Sequence, residues 1–121
     1  MTDPDLDPTT ITGYHAHLYY DAASRDDAAA IRTRIAAQFP RARLGNWHDG
    51  PVGPHPVGMY QVAFAVEDFA LFVPWLMLNR GDHCVLVHPL TGDDYIDHAH
   101  HALWLGDKLT LDLESLRKHA G

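Results

Sequence analysis

A single cysteine, Cys84, stands in 121 residues. It excludes an internal disulfide and any thiolate-rich metal site, and it suits a reducing compartment. No apolar run approaches the roughly 18 residues that a membrane-spanning helix needs. The acidic start, Met1 to Pro8, carries no signal-peptide pattern, so a soluble cytoplasmic protein is expected. Basic residues are scarce, nine Lys plus Arg against 16 Asp plus Glu, for a formal net charge of -7. Nucleic acid and anionic membrane are poor partners for such a surface. The chain is rich in histidine instead. Ten are dispersed along it, outnumbering Lys and Arg together, and imidazole in that quantity points to metal binding or proton transfer.

The histidines have a focus. Gly13-Tyr14-His15-Ala16-His17-Leu18-Tyr19-Tyr20 reads as a β-strand. Alternate side chains on a strand share a face, which sets His15, His17 and Tyr19 together, opposite Ala16, Leu18 and Tyr20. Two imidazoles placed this way can converge on one ion.

With 46% hydrophobic residues, the chain fits one domain with a real core, expected over 11–121 behind a flexible acidic tail over 1–10. After the first strand, Ser24 is the expected helix N-cap, with Asp26 and Asp27 in the first turn. Ala28, Ile31, Ile35 and Phe39 then form an apolar helix face that Pro40 ends. A second strand is expected over Ala42 to His48, followed by the stiff Pro51-Val52-Gly53-Pro54-His55-Pro56 loop. A third strand runs from Gly58 to Val66. A second helix opens at Glu67 and Asp68 and continues through Met77, with a kink expected at Pro74. His83 to His88 is a fourth strand, Asp97 to Gly106 an added strand or ordered loop, and Leu109 to His119 a short strand and terminal helix.

The order β-α-β-β-α-β is the ferredoxin-like pattern, an α+β sandwich with its helices on one face of the sheet and here a C-terminal extension. With the first and third strands taken as parallel neighbours, the expected topology brings His15, His17, His88, His48 and His55 to one end of the sheet. His15, His17 and His88 are the expected metal ligands. His55 is a fourth candidate ligand or an acid/base group, and His98 a candidate for proton transfer. His48 is expected to be a bystander, His83 and His119 surface residues, and Tyr19 and Tyr60 packing residues. Arg80 is a candidate carboxylate anchor or a helix cap. No Asp or Glu falls on the histidine face. Asp49, Asp94 and Asp97 are only loop candidates for a carboxylate ligand.

Several stretches together resemble the DOPA 4,5-dioxygenase family of small extradiol dioxygenases. They are Tyr14-His15-Ala16-His17-Leu18-Tyr19-Tyr20, Gly53-Pro54-His55-Pro56, Met59-Tyr60-Gln61-Val62, Pro74-Trp75-Leu76 with Asn79-Arg80, Val85-Leu86-Val87-His88-Pro89 with Thr91-Gly92, and Asp97-His98 through Ala102-Leu103-Trp104-Leu105-Gly106. The resemblance implies a ferredoxin-like fold, a homodimer, and cleavage of a catechol such as L-DOPA by O2 at non-haem Fe(II). Zn(II) fits the same histidines without supporting redox chemistry. Two other readings use the same residues: a non-redox metal- or ligand-binding protein, and a structural dimer that uses the face of the sheet away from the helices as its interface.

Overall fold

The computed structural model describes residues 5–120, with side chains through residue 117. The chain builds β1 (Tyr14–Tyr20), α1 (Arg25–Gln38), β2 (Arg43–Leu44), β3 (Gly58–Phe64), α2 (Phe69–Asn79), β4 (Val85–Pro89), α3 (Asp94–Ala99), β5 (Leu103–Leu105) and α4 (Glu114–Ala120). The strands form one sheet in the order β2-β3-β1-β4-β5. Every neighbouring pair is antiparallel.

That pairing corrects the expected parallel relation of the first and third strands. The α1 crossover returns the chain so that β2 runs with β1, one strand away. The turn back then lays β3 between them, antiparallel to both. β3 therefore starts beside the end of β1, with Gly58 opposite Tyr20. Contact there is close: a Cβ on Gly58 would sit 3.0 Å from the His48 carbonyl oxygen and 3.2 Å from Tyr20.

Hydrophobic alternation decides which face of the sheet the helices cover. Ala16, Leu18 and Tyr20 of β1, Tyr60, Val62 and Phe64 of β3, and Val85 and Val87 of β4 pack with Ile31 and Ile35 of α1 and Phe72, Val73 and Leu76 of α2. The Tyr60 hydroxyl donates to the Ala28 carbonyl at 2.8 Å, tying sheet to helix. The opposite face carries a smaller cluster. Tyr19, Met59 and Leu86 pack there beneath Val52, Trp104, Leu109 and Leu111. The Pro-rich loop and the C-terminal segment cover this face, joined where Asp112 N–H donates to the Pro54 carbonyl at 2.8 Å. A structural dimer built through that face would have to displace the chain's own segments.

Local differences from the sequence expectations have physical causes. Ser24 precedes α1, but its hydroxyl makes no cap to that helix. Asp21 recruits it instead, in a reciprocal capping box on the preceding 3-10 turn. Pro74 sits inside an uninterrupted α2. Both Pro74 and Ala70, whose carbonyl loses its helical donor, are exposed, which leaves that carbonyl open to solvent. The second strand is reduced to Arg43–Leu44, with His48 rejoining as an isolated bridge to Met59. The third strand stops at Phe64, and residues Val66–Asp68 form a 3-10 turn. The fourth begins at Val85, because His83 turns inward. Its Nδ1–H donates to the Tyr19 carbonyl at 2.9 Å, so His83 is a buried structural residue and not the expected surface one. Asp97 to Gly106 divides between the end of α3 and β5, and 109–113 is unpaired chain leading to α4. The His119 side chain lies outside the described residues.

Leu18 is almost fully buried in the main core and Leu71 is 72% exposed on α2. Leu18→Ala should cost about 2–5 kcal/mol of unfolding free energy, and Leu71→Ala should stay within about 0.5 kcal/mol. Urea unfolding monitored by circular dichroism reads both, and equal midpoints would contradict this assignment of the core.

Candidate metal centre

The pleat of β1 aims His15 and His17 at the face away from the helices. Register completes the group, because His15 lies directly opposite His88 of β4. His88 Nδ1–H donates to the Pro89 carbonyl at 3.0 Å. A carbonyl only accepts, so the His88 proton sits on Nδ1 and its Nε2 presents a lone pair. That Nε2 is 3.1 Å from Nε2 of His17.

Two further histidines arrive from outside the sheet. His98 lies in α3, whose N-cap Asp93 accepts from Ile96 N–H at 3.0 Å. His98 Nδ1–H donates one helical turn back to the Asp94 carbonyl at 2.7 Å, which also leaves Nε2 bare. Its ring centroid is 3.9 Å from that of His88. His55 comes from the Pro-rich loop, which folds over the sheet and brings its ring centroid to 4.2 Å from that of His17. Its Nδ1 is 2.7 Å from the Tyr19 hydroxyl. Among the described residues that nitrogen is the phenol's one hydrogen-bond partner, so Tyr19 O–H donates and His55 carries its proton on Nε2. Burial pushes the Tyr19 phenol well above its usual range, which keeps that proton in place.

Two overlapping groups result, His15 with His17 and His88, and His17 with His55 and His98. In each, one ligating nitrogen per residue lies within 4.8 Å of the others. His17 belongs to both. His17, His55, His88 and His98 are buried, and His15 is half-buried at the rim.

Desolvation favours the neutral form of His15, His17, His55 and His88. Burial, reinforced by His55, His88, His98 and His15, holds His17 far below the usual imidazole range. Burial and then His98 push His88 down to about 3, against a smaller upward pull from its bond to Pro89. Burial, with His98 and His48 adding to it, brings His55 down to about 4. Burial and His98 also lower His15. Neutral imidazoles offer lone pairs at neutral pH with no proton to displace.

The donor set fits a metal ion. A separation of 3.1 Å between two ring nitrogens is that of neighbouring ligands on an ion with bonds of roughly 2.0–2.1 Å. His17 Nδ1 is buried with no hydrogen-bond partner, and such an orphan marks a site whose polar groups are incomplete.

The structure brings His15, His17, His88, His55 and His98 together and leaves other candidates out. His48 is at the opposite end of β1, where its carbonyl accepts from the Tyr20 hydroxyl at 2.9 Å. His100 and His101 are exposed. Asp49 is taken by Tyr20 and Arg25. Asp97 is 1% exposed but accepts from Thr91 N–H and Thr91 O–H, which locks the turn between β4 and α3. Asp94 is in neither histidine group. Arg80 donates to the His83 carbonyl at 3.0 Å, in the turn beyond α2, so it neither caps that helix with its side chain nor belongs to either histidine group. Tyr19, read from sequence as packing, is also a hydrogen-bond partner of the site. Its place on the His15/His17 face was the available signal.

The Dopa 4,5-dioxygenase family matches residues 14–115. The chain is 34% identical to a DOPA 4,5-dioxygenase of Amanita muscaria, over 95% of this chain and 56% of that protein. It is 36% identical to a 21.2 kDa protein of Botryotinia fuckeliana, over 98% of this chain and 70% of that one. A crystal structure of a candidate dioxygenase from Nostoc punctiforme superposes with a TM-score of 0.93 at 54% identity, covering 95% of this chain and 99% of the other. The relatives support an oxygenase, and the clustered histidines are consistent with a metal-dependent one. All five clustered histidines fall inside the matched span, and the chain belongs to the Dopa 4,5-dioxygenase family.

Proposed function

We propose that the protein is an extradiol dioxygenase, opening the ring of L-DOPA or a related catechol with O2 at a histidine-bound non-haem Fe(II). The observation that carries this reading is the His17–His88 pair of nitrogens at 3.1 Å, buried in a cage whose candidate ligands, among the described residues, are all histidine. His15, His17 and His88 would hold the ion on the two central strands, where the ladder leaves little freedom. Fe(II) there would supply coordination of both catechol oxygens and electronic access to O2.

The remaining side chains divide the proton work. His98, with a bare Nε2, is the acceptor for a catechol hydroxyl proton. His55, held by Tyr19 as the Nε2–H form, is a donor on the other side of the cage. Their ring centroids are 6.1 Å apart. Trp104 stacks on Tyr19 and closes the apolar wall that keeps water out.

His17→Ala and His88→Ala should each abolish stoichiometric iron and O2 uptake with L-DOPA, checked by metal analysis and an oxygen electrode on anaerobically loaded protein. Full iron occupancy in both variants would refute the ligand assignment. Zn(II) on the same neutral histidines would support binding without turnover. Activity with Fe(II) and none with Zn(II) separates a dioxygenase from a metal-binding protein. Tyr19→Phe removes only the hydroxyl that orients His55, and activity should fall about 10- to 100-fold with iron still bound.

Acid should destabilise the metal-free protein before it protonates ordinary carboxylates. Unfolded histidines bind protons near pH 6.5, whereas folded His55 and His88 do so only near 4 and 3. Between those limits unfolding takes up protons, so stability falls as pH drops and is complete above about 6.5. Melting temperatures across that window check it, and a flat profile from pH 7 to 4.5 would contradict neutral burial of the cage.

A further inference from the structure

One cation on the histidine face has no part in metal binding or proton transfer. In the ladder, Arg43 of β2 is opposite Ala63, Ala63 is opposite His15, and His15 is opposite His88. Directly paired residues point to the same side of a sheet. The neighbouring Leu44 confirms the direction, since it packs into the main core on the helix side. Arg43 is therefore in line with His15 and His88, separated from them only by the methyl of Ala63. Two strand spacings, roughly 10 Å, separate its strand from that of His15.

Its partners are what distinguish it. Arg25 pairs with Asp49, Arg41 with Asp68, and Arg117 with Glu114 and Tyr95. Arg32 donates to the Gly45 carbonyl, Arg80 to the His83 carbonyl, and Arg34 lies over Trp75. Arg43 is exposed and, among the described residues, has no carboxylate, carbonyl or aromatic partner. In a chain with 16 acidic residues, a guanidinium without one is set apart. Its charge is close enough to His15 to oppose protonation there. Asp94 also acts on His15, with the opposite sign, but belongs to the first turn of α3, where the helix N-terminus stabilises a carboxylate.

We propose that Arg43 is the specificity-determining residue of the site, a bidentate anchor for a carboxylate at the end of a short substituent on the catechol ring. This rests on the catechol reading above and deepens it. The span from His15 to Arg43 along this row, roughly 10 Å, is that of a ring with a short side chain, and Ala63 places only a methyl between the two. A guanidinium and a carboxylate form two parallel charge-assisted hydrogen bonds, fixing the far end of the ring. Substrates are then catechols bearing an anionic chain, and neutral or cationic catechols bind less well.

Two probes of similar shape test this: 3,4-dihydroxyphenylpropionate, which ends in a carboxylate, and 4-ethylcatechol, which is neutral. Their dissociation constants are measured anaerobically on Fe(II)-loaded protein by optical titration, a readout independent of turnover. Wild type should favour the carboxylate by about 10- to 100-fold. Arg43→Gln should collapse that ratio, Arg43→Lys should keep part of it, and Arg43→Glu should reverse it. A ratio unchanged in Arg43→Gln, or equal weakening of both probes, would overturn the anchor and leave the catechol reading standing. Binding of neither probe to the loaded wild type would overturn the catechol reading and the anchor with it.

Discussion

The contact on which the rest of the site depends is between His17 and His88 across β1 and β4. Placing two imidazole nitrogens 3.1 Å apart in the floor of a sheet means removing both from water. The sheet tolerates this because neither ring is charged and because His88 is tied by its own backbone to Pro89. His17 has no such tie, and its Nδ1 is orphaned. An unsatisfied buried nitrogen costs about 1–3 kcal/mol, and Ala16 and Leu18 on either side, locked into the main core, prevent the strand from rotating His17 outward. The neighbours of the histidine pair are thus the residues that hold it in place.

Rigidity and reach are divided between parts of the chain. The strands supply His15, His17 and His88, whose relative positions follow from pleat and register and leave little slack. His55 and His98 come from a loop and a short helix, and each is steadied by a specific bond, to Tyr19 and to the Asp94 carbonyl. Asp97 completes this support. A carboxylate one residue from His98 would ordinarily be a ligand candidate, yet it is consumed by Thr91 in the preceding turn. That bond sets where α3 starts, and so where the His98 ring lies.

The alternation of Tyr14 to Tyr20 and of Val85 to His88 made the strand faces legible, and with them the meeting of His15, His17 and His88. That meeting needs only β1 and β4 to be antiparallel, as they are. The direction of β3 was not legible. A parallel β3 puts His55 at the correct end for an incorrect reason. The strand start lies at the far end, and the loop carries His55 back over the face to Tyr19. His48 was drawn in by the same error, and the real topology removes it. Hydrogen bonds of turn and loop groups were out of reach altogether. His83 looked like a polar residue at a strand start, and only the position of the Tyr19 carbonyl shows why it is buried. A two-residue β2 likewise gives no sequence pattern that would single out Arg43.

Charge links the cage to the substrate class. The common facial set of two histidines and one carboxylate contributes one negative charge to a divalent ion. A set of neutral histidines contributes none, so a divalent ion there would retain its full charge within a buried, low-dielectric cavity. Such a site gains most from an anionic ligand, and a catechol that has lost its hydroxyl protons is one. The same logic explains why a protein of net charge -7 keeps the carboxylates of Asp49 and Asp97 occupied elsewhere. In the reading proposed above, a free carboxylate among the histidines would compete with the catechol oxygens for the ion, whereas the Arg43 guanidinium at the edge of the same row would attract the anion from its other end.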